Sequence, residues 1–192
     1  MSEHIFVITG GPGSGKSSLI AALAREGMPY MPEAGRAIIQ DQVSIEGQAL
    51  PWADREAFAQ LMLGWELRSH REARAMPGPI IVDRGIPDVI GYLTLCGLPV
   101  PPHVHRAAQR YRYNRQVFIA PHWPDIFTHD QQRRQDATEA EATYQAMVST
   151  YTSLDYELIP LPLSSVSERA AFVKARIGSV PDDHHRQHHH QQ

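Results

Sequence analysis

Apolar residues along this chain follow two rhythms, and the switches between them predict alternating strands and helices. Residues 4–9, HIFVIT, are almost continuously apolar over a length that suits a buried strand. The glycine-rich run GGPGSGKS at 10–17 interrupts them, and Ser18–Glu26 then keeps helical spacing until Gly27 supplies a stop. Met28–Met31 reads as a second short strand and Glu33–Gln42 as a short helix. Asp54 is placed to cap a long helix reaching Ala75, on which Phe58, Leu61, Met62 and Trp65 recur at helical intervals. Pro77-Gly78-Pro79 breaks the chain before the apolar strand Ile80–Val82, which ends on Asp83. The spacing then predicts a helix over Asp88–Cys96, another around Val104–Tyr111, a strand at Gln116–Ala120, and an irregular polar stretch at Pro121–Asp136. A helix over Ala137–Ser153, a fifth strand at Tyr156–Leu161 and a last helix at Val166–Ile177 complete the pattern.

Strands that alternate with helices predict an α/β fold, with a mostly parallel sheet covered on both faces and a doubly wound topology. Ligands of such sheets sit beyond the carboxyl ends of the strands. Gly10 and Asp83 both fall at predicted strand ends, so the two are expected to share one crevice. Residues 1–177 read as a single domain, and residues 178–192, with His184, His185, His188, His189 and His190, as a disordered tail with incidental metal affinity.

Composition narrows the function. Of 192 residues, 42% are hydrophobic and 20% charged, the balance of a soluble globular domain. A formal net charge of −3 supplies no basic field, so nucleic acid is not an expected partner. The run Ile5–Thr9 is too short for a signal-peptide core, and Val89–Val100 is broken by Gly91, Gly97 and Pro99, so no membrane insertion is expected. The lone cysteine, Cys96, excludes an internal disulfide framework and suits the cytoplasm.

The most specific chemistry lies at Gly10-x4-Gly15-Lys16-Ser17, which fits the Walker A pattern in the strand–turn–helix context that pattern requires. Gly10, Gly11, Pro12, Gly13, Ser14, Gly15, Lys16, Ser17 and Ser18 are the candidate nucleotide-binding residues. Glycines let the backbone approach phosphate, and loop N–H groups with the helix N-terminus supply partial positive charge. Lys16 is placed to bridge the β- and γ-phosphates of ATP, and the Ser17 hydroxyl to ligate Mg²⁺.

Ile80-Ile81-Val82-Asp83 resembles a Walker B strand, whose carboxylate holds Mg²⁺ or accepts a proton from a substrate hydroxyl. The following residue is Arg84, where ATP-driven motors commonly carry Glu; a cation here suits an anionic substrate or charge neutralisation during transfer, and a surface ion pair is the plainer alternative. Asp88 and Tyr92 lie one helical turn apart, either lining an acceptor pocket or serving as a helix-start carboxylate and a packing tyrosine. Glu33 and Arg36, three residues apart, are candidates to read an acceptor, or else a local ion pair. Asp130, Arg133 and Arg134 fall in the irregular stretch, and arginines on such loops close over a transferring phosphoryl group in other enzymes. Trp123 nearby reads as loop packing, and Arg68, Arg71 and Arg74 as a solvated helix face.

These motifs together resemble the AAA-type domain of the NadR ribosylnicotinamide kinases, shared with a photoreceptor channel-trafficking protein and many bacterial ATPases. The matching pieces are GGPGSGKSSLI at 10–20, PEAGRAII at 32–39, VDRGIPDVIGY at 82–92 and FTHDQQRRQ at 127–135. The resemblance implies a P-loop NTPase of three α/β/α layers, with a five-stranded parallel sheet and a lid. It further implies ATP at Gly10–Ser17, Mg²⁺ near Ser17 and Asp83, and a lid place for Arg133 or Arg134. The adenylyltransferase domain that accompanies the NadR kinases has no counterpart in these 192 residues, and the acceptor is left open.

Two functional classes follow. The first is an ATP-dependent phosphotransferase acting on a small hydroxylated molecule, with Lys16 and the lid arginines Arg133 and Arg134 offsetting charge, Asp83 orienting or deprotonating the acceptor, and Arg36 and Arg84 as anchors. The second is a nucleotide-dependent switch or binding module with weak ATPase or GTPase activity. The chain lacks an Asn-Lys-x-Asp guanine-reading element, its one asparagine being Asn114 followed by Arg115. A ring-forming mechanical ATPase ranks below both, since no glutamate follows Asp83 and no second helical domain is visible.

Overall fold

Strand β1 (Ile5–Gly10) is buried along its whole length, and its side chains divide between two cores. Ile5 and Val7 face one, Phe6 and Ile8 the other. The same alternation runs through β3 (Ile80–Asp83) and β4 (Gln116–Ala120): Ile80, Val82, Val117 and Ile119 join the first core, Ile81, Phe118 and Ala120 the second. Continuous apolar runs are therefore what a sheet covered on both faces demands. With β2 (Tyr30–Met31) and β5 (Glu157–Pro160), these strands form a five-stranded sheet in the order β2-β3-β1-β4-β5, and every pairing is parallel.

One layer holds α1 (Lys16–Arg25) and α7 (Val166–Gly178), whose Leu19, Leu23, Ala170 and Val173 cover the second core. The opposite layer holds α3 (Arg55–Ala75), α4 (Ile86–Leu95), α5 (Pro102–Arg110) and α6 (Gln131–Ser153), with Leu63, Val89, Ala108 and Met147 on the first core. Helix α2 (Ala34–Ser44) joins a small satellite cluster in which Ala34 and Ile38 meet Phe58. The three-layer α/β/α architecture expected from the sequence is thus the one observed. The computed structural model describes residues 2–122 and 131–178, and of residues 131–136 the backbone alone.

Element limits differ from the sequence reading at a few ends. Helix α6 begins at Gln131, six residues before the expected Ala137, so the end of the supposed irregular stretch is helical. Residues 131–136, QQRRQD, contain no apolar position to display a helical period, although glutamine and arginine are good helix formers. Strand β2 is confined to Tyr30–Met31, an edge element that pairs with β3 alone. Asp54 caps α3 as expected, its side chain accepting a hydrogen bond from the Ala57 amide at 3.1 Å.

Candidate active site

The loop between β1 and α1 is shaped for close backbone approach to an anion. Gly10 leaves the strand at φ 149°, and a Cβ there would stand 2.7 Å from the Ala120 carbonyl oxygen. Gly15, the last residue before α1, holds φ 79° in the left-handed region that glycine tolerates, and no side chain caps the helix start behind it. The first amides of α1 are thereby left to an external acceptor. Gly11, Pro12 and Gly13 form the bend, Ser14 is buried, and Ser17 and Ser18 are exposed.

Arg169 of α7 braces this loop from behind. Its Nη1 donates to the Ser14 carbonyl at 2.7 Å, and its Nε donates to the Pro162 carbonyl at 2.7 Å, with the residue fully buried.

The register of β1 against β3 puts Ile8 beside Asp83, and the Arg84 amide donates to the Ile8 carbonyl at 3.0 Å. Asp83 therefore emerges next to the loop. Lys16, itself buried, forms a close ion pair with Asp83, and its ammonium lies 3.4 Å from Glu33 Oε2. Glu33 Oε1 lies 3.7 Å from Arg84 Nε, so negative and positive groups alternate from Asp83 through Lys16 and Glu33 to Arg84. Arg84 adopts φ 69°, a strained conformation for a residue with a Cβ, at the sharp turn from β3 into α4.

Burial pushes the Asp83 carboxyl above its ordinary range, against the opposing pull of Lys16. At Glu33 burial acts in the same sense but is outweighed by Arg84 and Lys16, which hold the carboxyl below its ordinary value. Burial alone would lower the Arg84 guanidinium, yet Glu33, Asp88 and Asp83 together raise it.

Asp88, on the first turn of α4, is buried and accepts hydrogen bonds from Thr9 Oγ1 at 2.6 Å, from the Gly85 amide at 3.0 Å and closely from the Tyr151 hydroxyl. It ties β1, the start of α4 and α6 together. Next to it the Tyr113 hydroxyl accepts from the Ile86 amide at 3.0 Å.

Beside this cluster opens a cleft of about 580 Å³. Its polar lining comes from Glu33, Arg36, Gln40, Glu66, Arg84, Asp88 and Tyr92. Ile39, Phe58, Met62 and Val89 supply apolar wall, and the Phe58 and Tyr92 rings meet edge to face at 5.6 Å. That volume and mixed lining suit a small-molecule site. Glu33 stands at the border, walling the cleft on one side and reaching Lys16 on the other.

The structure therefore brings together Glu33, Arg36, Arg84 and Asp88 at the cleft, and places Gly10–Ser18 with Asp83 at its loop side. Arg68, Arg71 and Arg74 are exposed on α3, and Arg68 pairs with Glu72 at 3.0 Å, as a solvated helix face requires. Trp123 and Asp130, the side chains of Arg133 and Arg134, and residues 179–192 with their histidines lie outside the described residues. Sequence reasoning missed Thr9, Glu66, Tyr151 and Arg169. Glu66 left a trace, since it falls in the apolar stripe Ala59, Leu63, Ala73 on the buried face of α3.

A family model described as an AAA domain matches residues 5–169, from the first strand to the arginine that braces the glycine loop. The chain belongs to this AAA domain family. No curated protein matches its sequence. Among solved structures, the AAA-family chain is similar to the NadR protein in complex with NR, with a TM-score of 0.67 and 15% identity over 93% of this chain. It spans 52% of the length of that NadR chain. It is similar also to thymidylate kinase from Ehrlichia chaffeensis, with a TM-score of 0.61 and 12% identity, covering 90% of this chain and 97% of the other. Deoxyadenosine kinase from M. mycoides with bound dATP matches with a TM-score of 0.51 and 12% identity, covering 91% of this chain and 100% of that one. At these identities the likeness establishes the shared fold. The AAA-family resemblance read from the motifs at 10–20, 32–39, 82–92 and 127–135 is in accord with both findings. No helix among the described residues is long and apolar enough to cross a membrane.

Proposed function

We propose that this protein is an ATP-dependent phosphotransferase acting on a small hydroxylated acceptor bound in the cleft beside Glu33, Arg84 and Glu66. The observation that carries this reading is the buried pairing of Lys16 with Asp83 between the glycine loop and a cleft of about 580 Å³. A phosphate-binding lysine and a carboxylate held together at the border of an acceptor-sized space are what transfer to a bound hydroxyl needs. A device that only hydrolyses would need room for water alone. The similar structures, NadR, thymidylate kinase and deoxyadenosine kinase, point the same way.

What supports ATP at the loop is the start of α1, whose amides no side chain caps. For Mg²⁺ the hard oxygen donors would be the exposed Ser17 hydroxyl and, through a water, the Asp83 carboxylate, the other ligands coming from phosphate and water. When bound, ATP supplies the γ-phosphoryl group and Mg²⁺ screens its oxygens.

Lys16 then exchanges its contact with Asp83 for phosphate oxygen, which frees that carboxylate to face the acceptor. Asp83 takes the hydroxyl proton as the acceptor oxygen bonds to phosphorus and the bridging bond to ADP breaks. Its raised proton affinity favours it over Glu33, whose carboxyl Arg84 and Lys16 hold acidic. Glu33 instead fixes Arg84, and Arg36 stands exposed at the cleft's rim to meet polar groups of the acceptor. We place Arg133 and Arg134 in a lid that closes over the phosphates, residues 1–177 in one catalytic domain, and the protein in the cytoplasm, where Cys96 stays reduced.

The test is ADP release in a screen of nucleosides, sugars and vitamins, with Lys16→Ala as the blank. Asp83→Asn should lower transfer by roughly 10²–10⁴-fold while changing Mg-ATP affinity less than about tenfold. Equal loss of both would show that Asp83 serves nucleotide binding and has no part in proton transfer.

A further inference from the structure

Three successive backbone amides at the turn from β3 into α4 are held by three different parts of the chain. The Arg84 amide donates to the Ile8 carbonyl of β1, the Gly85 amide to the Asp88 carboxylate of α4, and the Ile86 amide to the Tyr113 hydroxyl, each at 3.0 Å. Gly85 precedes the helix and has no side chain to cap it. Tyr113, from the segment ahead of β4, supplies the acceptor for the first amide of α4 instead. The Tyr113 ring also fills the space over Gly85, where a Cβ would stand 3.1 Å from two of its carbons. Tyr113 is itself fixed. It is buried, its amide donates to the Tyr156 hydroxyl at 3.1 Å, and its ring meets His70 edge to face at 5.1 Å. The chemistry above gives this phenol no part.

What this clamp holds is Arg84, whose φ of 69° is unfavourable for a residue with a Cβ. Its guanidinium lines the cleft. The Nε is buried and makes no hydrogen bond, and the one ion pair of the side chain among the described residues is with Glu33 at 3.7 Å. Neither the backbone strain nor the unpaired Nε stabilises the folded chain, and a glycine here would remove both. An arginine held in this way keeps its donors for a ligand of the cleft. We propose that Tyr113 is a positioning residue of the phosphotransferase: by pinning the Ile86 amide and packing on Gly85 it holds Arg84 in the left-handed conformation that keeps the guanidinium in the cleft wall to meet the acceptor. This deepens the phosphotransferase reading and rests on it. Tyr113 touches no reactant and acts through Arg84 alone.

The experiment compares wild type, Tyr113→Phe, Arg84→Gly, Arg84→Ala and the double variant Tyr113→Phe/Arg84→Gly, all in the full chain. Tyr113→Phe keeps the ring and removes the acceptor of the Ile86 amide. ADP release is measured with Mg-ATP and, as probe, the compound of the nucleoside, sugar and vitamin screen that releases most ADP; Mg-ATP affinity is measured by calorimetry. Tyr113→Phe should raise the acceptor KM roughly tenfold, alter kcat less than about threefold and leave Mg-ATP affinity within about twofold. In the Arg84→Gly background, which has lost both guanidinium and strain, the same change should leave acceptor kcat/KM within about twofold. It should lower the melting temperature in both backgrounds, since the hydroxyl is lost from each. Arg84→Gly should melt above Arg84→Ala, the reverse of the usual order of these residues, because glycine alone takes a φ of 69° freely. An equal loss of kcat/KM in the two backgrounds makes Tyr113 a packing residue and overturns the proposal, as does an unchanged acceptor KM in Tyr113→Phe; the phosphotransferase stands in both cases. Arg84→Ala melting above Arg84→Gly overturns it too, by removing the strain. Failure of every acceptor in a protein that still binds Mg-ATP removes the underlying reading and the proposal with it.

Discussion

The buried carboxyl of Glu66 has a consequence for stability that is separate from any acceptor. Its proton affinity in the folded protein is raised, so between its ordinary value and the raised one the folded state keeps a proton that the unfolded chain releases. Its contribution is therefore full at acid pH, below the unfolded value, and is lost as pH rises through the folded one. Glutamine cannot ionise. The melting temperature of Glu66→Gln, compared with wild type, should accordingly gain as pH rises above the ordinary carboxyl range, with each kcal/mol of difference worth roughly 2–4 °C in a chain of this size. Asp83 acts in the same direction and Glu33 in the opposite one, and both are present in the two proteins. A gap between the melting curves that stays constant with pH would show that Glu66 is charged throughout. At this scale the sequence was partly legible. Lys16, Asp83, Glu33 and Arg84 could be singled out because a motif or a strand end marks them. Glu66 was marked only by its place in the stripe of Ala59, Leu63 and Ala73, and a glutamate on a helix reads as solvent-facing until that stripe is seen to enter the core.

Among the elements, the seam that positions the site is the one between β1, α4 and α6, and Asp88 closes it. Thr9 reaches it from the sheet, the Gly85 amide from the helix start and Tyr151 from the far helix. Removing the carboxylate leaves those donors buried without an acceptor. Asp88→Ala should cost about 3 kcal/mol of unfolding free energy in urea titrations, and Tyr151→Phe, which leaves Asp88 with two donors, about 1 kcal/mol. Comparable losses in both variants would mean that α6 packing, and not the carboxylate, carries the seam. The existence of α4 followed from the apolar spacing over Asp88–Cys96, and its partners did not, since Tyr151 lies 63 residues beyond Asp88 and no local period links them. The early start of α6 at Gln131 escaped for a related reason: a polar segment displays no periodicity even when its residues favour helix.

Across the whole molecule, the nucleotide loop near the start of the chain depends on a helix near its end. Arg169 lies 155 residues from Ser14, and its guanidinium spans the Ser14 and Pro162 carbonyls, so α7 holds the loop in the shape that aims its amides outward. The parallel sheet makes this possible by bringing the carboxyl ends of β1 and β5 to the same end of the sheet, with β4 between them. Such a contact leaves no signature in sequence spacing, whereas the loop it supports carries the strongest motif in the chain. A lysine at this position cannot span two carbonyls in the same way, because its single ammonium lacks the planar fork of guanidinium. Arg169→Lys should therefore weaken Mg-ATP binding by roughly tenfold in calorimetric titration, corresponding to about 1.4 kcal/mol. It should also melt earlier than wild type without ligand, and recover most of the deficit under saturating nucleotide, because binding to the folded state alone stabilises it by mass action. Unaltered affinity together with a lower melting temperature would confine Arg169 to holding α7 in place and separate it from the shape of the loop.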